Sequence, residues 1–222
     1  MNPIDEIVAA KIPLEVKPDP MTMHAMFPTP VAFFKLPRAL TDNELDFLMS
    51  QKTRPNLGNT TSIDSYVLRN RKLAGLRQFI EDAMDQYFTA THNPNGNVRL
   101  KITQSWVNFT EPGQFHHKHN HPNSMISGVF YVNADISKDK IHFFRDGYLQ
   151  FKVEPKEYNI FNSESWWMPV GTCDLVLFPS SLMHMVETVQ TEDRRISLAF
   201  NTFPTGILGS ANDLTELNLE RQ

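Results

Sequence analysis

The sequence is poor in most of the features that mark a specialised class. It has a single cysteine, Cys173, which excludes an internal disulfide, a cysteine-rich zinc site and a paired-thiol redox motif and favours a reducing, cytosolic setting. It has no excess of positive charge: 21 Lys and Arg stand against 25 Asp and Glu, for a formal net charge of -4 and a pI near 6.1. That balance argues against a broadly basic surface and against nucleic acid as a partner. No long apolar run is present, and residues 1–17 carry Asp5, Glu6 and Glu15, so neither a signal peptide nor a membrane span is expected. There is no internal repeat or low-complexity tract. What is present is globular: 41% hydrophobic residues, sixteen Phe and three Trp in 222 residues, a length that suits one domain with a sizeable core.

The chain changes character part-way. Residues 1–20 are polar with four prolines and are expected to form a flexible arm. A proline-led strand follows at Phe27 to Leu36. Thr41-Asp-Asn-Glu44 then has the pattern of a capping box, which opens a short helix carrying Leu45, Phe47, Leu48 and Met49. Arg54 to Asn70 reads as loop. From Leu73 to Phe88 the apolar residues recur with a helical period, so this helix should pack on a sheet, and Asn93-Pro-Asn-Gly-Asn ends it in a turn. Short strands are expected thereafter, at Val98–Phe109, Met125–Val132, Ile141–Phe144, Tyr148–Val153, Asp174–Phe178 and Arg195–Phe203. Helices first and many strands after predict an α+β, mainly β architecture: a double-stranded β-helix, or jelly roll, with the N-terminal helices packed on one sheet. In this reading one domain spans 1–222, with helical support over 27–92, the jelly-roll core over 98–204 and a C-terminal tail over 205–222.

Four of the eight histidines, His116, His117, His119 and His121, fall within six positions. On a regular strand alternate side chains share a face, so His117, His119 and His121 point one way with neighbouring Cα atoms roughly 7 Å apart, close enough for two imidazoles to converge on one metal ion. Downstream, His184 follows an apolar strand and a turn. Arg195 and Ser197 share a strand face, and a partly buried arginine there calls for an anion, either a ligand or a structural Asp or Glu. Trp106 and Asn108 likewise share one face of the strand leading into the histidines. His24, His92, His116 and His142 have no partner pattern and read as structural or surface; Cys173 reads as inert.

The order His119-x-His121, His184, Arg195-x-Ser197 resembles the 2-oxoglutarate and Fe(II)-dependent oxygenase superfamily, whose pattern is His-x-Asp/Glu, a distal His and an Arg or Lys on a following strand. Gly113-Gln114 is similar to the Gly-Gln that precedes the first ligand in prolyl 4-hydroxylases. More closely, His119-x-His121-Pro-Asn-Ser124, Ser127-Gly-Val-Phe-Tyr131, Leu177-Phe-Pro-Ser180 and Arg195-Ile-Ser197-Leu-Ala-Phe-Asn201 resemble an oxygenase family of bacteria and their phages. The resemblance covers Val98 to Pro204. It implies Fe(II) held by His119, His121 and His184, with O2 and 2-oxoglutarate as co-substrates. It further implies that Arg195 and Ser197 hold the far carboxylate of 2-oxoglutarate, that Tyr131 bonds the same molecule, and that Trp106 and Asn108 line its pocket. The octahedral ion would keep open positions for co-substrate and O2.

One residue departs from the pattern: His121 stands where the superfamily has a carboxylate. Three ligand sets therefore compete. His119, His121 and His184 form the triad, or His117 replaces one of them, or a carboxylate such as Glu111 or Asp135 comes in from elsewhere. The activity implied is hydroxylation of a C–H bond, with a peptidyl side chain such as proline as the leading substrate and a small molecule as the other. Two alternatives are a three-histidine dioxygenase of the cupin type that does without 2-oxoglutarate, and a non-catalytic jelly-roll binding module. Residues 143–168, with Tyr148, Tyr158, Trp166 and Trp167, form either a substrate-covering lid or a packed hairpin.

Overall fold

The computed structural model describes residues 15–16, 21, 23–145, 147 and 151–220. Two short strands, β1 (Glu15–Val16) and β2 (Met23–His24), pair near the start; the rest of the arm expected over residues 1–20 lies outside the described residues. Strand β3 (Ala32–Lys35) follows, and then helix α1 (Asp42–Met49). Thr41 caps α1 as its sequence predicts, with Thr41 Oγ1 accepting from Glu44 N and Glu44 Oε2 accepting from Thr41 N. Arg38 grips the same carboxylate at 2.7 Å through both terminal nitrogens and holds Glu44 below the usual carboxylate range.

The stretch read as loop from Arg54 to Asn70 contains two short strands, β4 (Thr53–Pro55) and β5 (Thr60–Ser62), and a 3-10 turn at Val67–Arg69. Helix α2 (Ala74–His92) buries Leu76, Ile80, Ala83, Met84, Tyr87 and Phe88, the predicted stripe. Full burial of a Leu, Ile, Met or Phe contributes about 1.5–3 kcal/mol. The helix stops at Asn93, whose φ of 43° and ψ of 58° place it in the left-handed region that asparagine tolerates.

The remaining strands are β6 (Arg99–Thr110), β7 (His116–His119), β8 (Ile126–Asn133), β9 (Lys140–Phe144), β10 (Ser165–Pro169), β11 (Asp174–Pro179), β12 (His184–Val186) and β13 (Arg195–Thr205). The chain then forms a small hairpin from β14 (Ile207–Leu208) and β15 (Leu217–Asn218). Of the strand expected at Tyr148–Val153, residues 148–150 lie outside the described residues and residues 151–153 are not strand; β9 pairs instead with β10 and β12.

The strands form two antiparallel sheets that make the jelly roll. The larger has the order β3-β11-β8-β13-β6-β5-β4 and the smaller β10-β9-β12-β7. The central strands of the large sheet alternate between two cores. On the outer face Phe130, Leu175, Leu177, Leu198 and Phe200 pack with α1 and α2; on the inner face Tyr131, Val176 and Phe178 pack with Ile141 and Phe143 of the small sheet.

Gly128 belongs to the outer core. A Cβ there would lie 2.2 Å from Phe200 Cζ and 2.7 Å from Leu177 Cδ2, both in fully buried side chains. Gly128→Ala is expected to cost about 1–3 kcal/mol through overpacking, seen as a lower midpoint of thermal unfolding. An unchanged midpoint would show that Phe200 has room to retreat.

Candidate active site

The site is built between the sheets from strand parity. The registers Ser197 with Asn108 and with Tyr131, and Ala199 with Trp106 and with Val129, place these side chains side by side on the inner face of β6, β13 and β8. Facing them, β7 and β12 bring His119 opposite His184. A single cavity is lined by Trp106, Asn108, Tyr131, Arg195 and Ser197 from the large sheet and by His116, His119, His121 and His184 from the other side. Every residue to which the resemblance assigns a site role therefore borders one space.

The loop after β7 is fixed by a buried hydroxyl network. His121 N donates to Ser180 O at 2.9 Å, Ser180 Oγ lies 2.7 Å from Ser124 Oγ and 2.8 Å from Ser127 Oγ, and Ser127 Oγ donates to Asn201 Oδ1. Ser124 Oγ also accepts from Thr202 N. Asn123 takes the turn at φ 58°. The serines and the asparagine of the quoted motifs thus tie the His121 loop to β8, β11 and β13, which gives these residue types a structural reason.

Nitrogen atoms of His119, His121 and His184 all lie within 4.8 Å of one another. His119 Nδ1 lies 2.7 Å from the carbonyl of His117, and His184 Nδ1 lies 3.0 Å from that of Leu182. A carbonyl only accepts, so each Nδ1 carries the proton and each Nε2 presents a lone pair. His121 Nε2 is 3.3 Å from His184 Nε2, close to the separation of two donors sharing an ion at metal–nitrogen bonds of roughly 2.1 Å. Burial pushes the imidazoles down, His121 to about 4 and His184 to about 3, so the rings are neutral, the form that binds a metal. The donor set fits Fe(II).

The competing ligands lie elsewhere. Glu111 is half-exposed and paired with Arg194 at 2.6 Å. Asp135 sits in an exposed turn, bonded to Ser137. His117 sets Nδ1 at 3.3 Å from Leu57 O and does not line the cavity. It does form a second cluster with His116 and His119, again within 4.8 Å. Among the described residues no carboxylate lines the cavity.

Arg195 is 4% exposed, and its Nη1 is buried without a hydrogen-bond partner. Among the described residues no carboxylate forms an ion pair with it. Its guanidinium stands 5.1 Å from the centre of the Tyr131 ring. The Tyr131 hydroxyl and Asn108 Oδ1 are buried without partners as well, and burial pushes the phenol up to about 12. Two orphaned donors around one cavity, Arg195 Nη1 and the Tyr131 hydroxyl, mark a place for an anionic ligand, and Asn108 Oδ1 adds an unmet acceptor, because unpaired buried groups are costly and otherwise rare.

His116 is where strand parity misleads. The register pairs His184 with His119 but Val186 with His116, so β7 carries one more residue than β12 over this span. The extra residue is a bulge. It brings His116 into the cavity lining, with its ring stacked on that of His119 at 4.6 Å, while His117, 4.8 Å from the His119 ring, stays outside that lining. His116 is therefore a cavity residue rather than a surface one, and the sequence carries no signal for it.

Residues 104–201 match the model of a family described as "Putative 2OG-Fe(II) oxygenase". Over these residues, a little under half of its length, the chain matches 2-oxoglutarate/Fe(II)-dependent oxygenases. It is an enzyme of that class, whose cofactor is Fe(II) and whose co-substrates are 2-oxoglutarate and O2. Solved structures share the fold of this oxygenase. An oxidoreductase of the 2OG-Fe(II) oxygenase family from Burkholderia pseudomallei matches at 12% identity and TM-score 0.53, covering 78% of this chain and 83% of its own. HygX from Streptomyces hygroscopicus, with nickel and 2-oxoglutarate bound, matches at 10% identity and TM-score 0.54, covering 78% and 82%. A prolyl hydroxylase from Trichoplax adhaerens, in complex with a hypoxia inducible factor peptide fragment, matches at 11% and 0.52, covering 78% and 83%. No curated protein matches the sequence.

The lid expectation meets a divided segment. Ser165–Pro169 is strand β10, paired with β9 as a hairpin, and Arg145 ties its base through Ile160 O and Phe161 O. Tyr148 lies outside the described residues. Phe151, Tyr158 and Trp166 wall a separate groove of about 1200 Å³ beside β3, and none of the site residues borders it. Among the described residues no helix is long and apolar enough to cross a membrane.

Proposed function

We propose that this oxygenase hydroxylates a C–H bond, that His119, His121 and His184 hold its iron, and that Arg195 receives the far carboxylate of 2-oxoglutarate. The observation that carries the reading is the buried, unpaired guanidinium of Arg195 on the same cavity as three imidazoles whose tautomers are set for metal binding. Bound iron, with 2-oxoglutarate and O2, supplies the oxidising power that inserts one oxygen atom into the substrate C–H bond and leaves succinate and CO2.

The chain's own residues bind, orient and exclude. Arg195 offers a rigid fork to a carboxylate, with Ser197 beside it on the same strand face. The buried Tyr131 hydroxyl, kept protonated, offers a further hydrogen bond, and Asn108 and Trp106 close the wall. Phe178 and Phe143 stand 4.7 and 6.4 Å from the His184 ring and keep its back dry. All three metal donors are neutral, so the charge of the ion is balanced by the co-substrate rather than by the protein, which strengthens the demand for a dianion.

For the substrate, the reading is a peptidyl residue such as proline, supported by the likeness to a peptide-bound prolyl hydroxylase and by the Gly113-Gln114 resemblance. A small molecule is the other class. The setting we infer is the cytosol of a bacterium or of a phage-infected host.

Anaerobic titration of the Fe(II)-loaded protein with 2-oxoglutarate tests the reading. The weak visible charge-transfer band of the chelate is expected, and under O2 succinate forms with it. Iron uptake without the band would sink the reading. O2 consumption without succinate would then favour a three-histidine dioxygenase, and a saturated ion with no turnover a structural metal.

A further inference from the structure

The cavity holds one more polar side chain than the site needs. His116 lines it together with Arg195 and the three candidate ligands, and the bulge in β7 that puts it there is held from outside. The β4–β5 turn, residues 56–59, packs on the start of β7. Phe115 N donates to Gly58 O at 3.1 Å, and Gly58, at φ 91°, lies so close that a Cβ would meet Phe115 O at 2.7 Å. This contact delivers Asn56 to His116, with Asn56 Nδ2 3.5 Å from Nε2.

The Asn56 amide is itself oriented. Asn56 Nδ2 donates to Asn59 Oδ1 at 2.9 Å, and Asn59 Nδ2 donates to Thr110 Oγ1 at 3.3 Å. Thr110 is the β6 residue that pairs with Arg195, so one chain of hydrogen bonds runs from the strand position beside the guanidinium to the imidazole. Because Asn56 presents N–H to Nε2, Nε2 accepts and Nδ1 carries the proton. Among the described residues no hydrogen-bond partner reaches Nδ1. A donor with a fixed tautomer, stacked on His119 in the cavity that also holds the unpartnered Arg195 Nη1, is placed to meet an anion.

We propose that His116 is a further co-substrate-binding residue, donating Nδ1–H to a carboxylate of 2-oxoglutarate between Arg195 and the metal ligands, with Asn56 as the residue that positions its tautomer. The inference rests on the reading of Arg195 and the histidine triad given above. The His116 imidazole adds a neutral donor where Arg195 adds a charged one, so it discriminates by direction rather than by charge. It is not a fourth metal ligand.

Calorimetry under anaerobic conditions separates these roles. Fe(II) is titrated into the full-length protein first, then 2-oxoglutarate into the loaded protein, with Ni(II) in place of iron as a redox-inert check. His116→Ala is expected to weaken 2-oxoglutarate binding about 10- to 100-fold, the loss of one hydrogen bond to a charged acceptor, and to leave the metal constant within about twofold. His116→Asn, which keeps an N–H donor, should recover part of the loss, and Asn56→Ala should weaken 2-oxoglutarate binding in the same direction but less. An unchanged 2-oxoglutarate constant in His116→Ala, against a wild type that binds, overturns this inference alone. A fall in metal affinity as large as that for 2-oxoglutarate overturns it by making His116 a ligand. A wild type that takes up Fe(II) but not 2-oxoglutarate overturns both this inference and the reading beneath it. If His116→Ala does not fold, Asn56→Ala decides, since it leaves the imidazole in place and frees only its tautomer.

Discussion

His184→Ala is expected to abolish Fe(II) binding, with the dissociation constant rising by at least about 100-fold. Even residues that only orient a metal ligand cost 10–100-fold when removed, and His184 is the best-held of the three candidates. It is 5% exposed, its Nδ1 proton is committed to Leu182 O, and its Nε2 faces His121 Nε2 at 3.3 Å. The same substitution leaves the second histidine cluster, His116, His117 and His119, intact. Anaerobic Fe(II) titration of His184→Ala beside His117→Ala therefore discriminates between the two groups. Wild-type affinity in His184→Ala together with loss in His117→Ala would move the metal to the second cluster. His121→Asp should still bind the ion, since a carboxylate oxygen suits Fe(II) and is what the superfamily pattern places there. In that variant the protein, not the co-substrate, would supply the compensating negative charge.

The parts of this arrangement that the sequence makes legible are those governed by a single local period. The stripe from Leu76 to Phe88 follows the helical repeat and is buried as expected, and the Thr41 to Glu44 pattern closes the capping box. Period two correctly puts Trp106 with Asn108 and Arg195 with Ser197, because β6 and β13 run regularly through these positions. The same period fails at β7, where the extra residue opposite β12 exchanges His117 for His116. A bulge is decided by what packs against it, here the β4–β5 turn, and that turn lies some sixty residues away in the chain. Strands β4, β5, β10 and β12 escape a sequence reading for a related reason. They are three to five residues long, and their positions are either largely exposed or half-exposed, as in β4, β10 and β12, or buried but polar, as in the Thr-Thr-Ser of β5, so little of an apolar alternation is left to see. That no acid among the described residues pairs with Arg195 is a three-dimensional fact of the same kind.

Arg195→Met is expected to have opposite effects on ligand binding and on stability. A guanidinium that is 4% exposed and has a buried nitrogen without a partner carries an uncompensated desolvation cost in the ligand-free protein. Methionine keeps much of the apolar stem against Tyr131 and removes the charge. Replacing buried charge by a packed apolar side chain is often neutral or stabilising by about 1–4 kcal/mol, so the unfolding midpoint of the metal-free variant should stay level or rise. Binding of 2-oxoglutarate to the Fe(II)-loaded variant should fall about 100-fold or more. The loss of a charge-assisted bidentate contact in a desolvated site typically costs about 2–5 kcal/mol, and the co-substrate carboxylate would then face only neutral groups, Ser197, the Tyr131 hydroxyl and the His116 imidazole. Fe(II) binding itself should be little changed, because Arg195 is not among the clustered donors. Thermal unfolding of the apo variant, set beside its anaerobic 2-oxoglutarate titration, reads both signs. A variant that loses several degrees of stability and keeps its affinity for 2-oxoglutarate would make Arg195 a structural residue, and the case for an anionic co-substrate in this cavity would go with it. A variant that gains stability while losing the ligand shows a residue kept at a cost to the fold for what it binds.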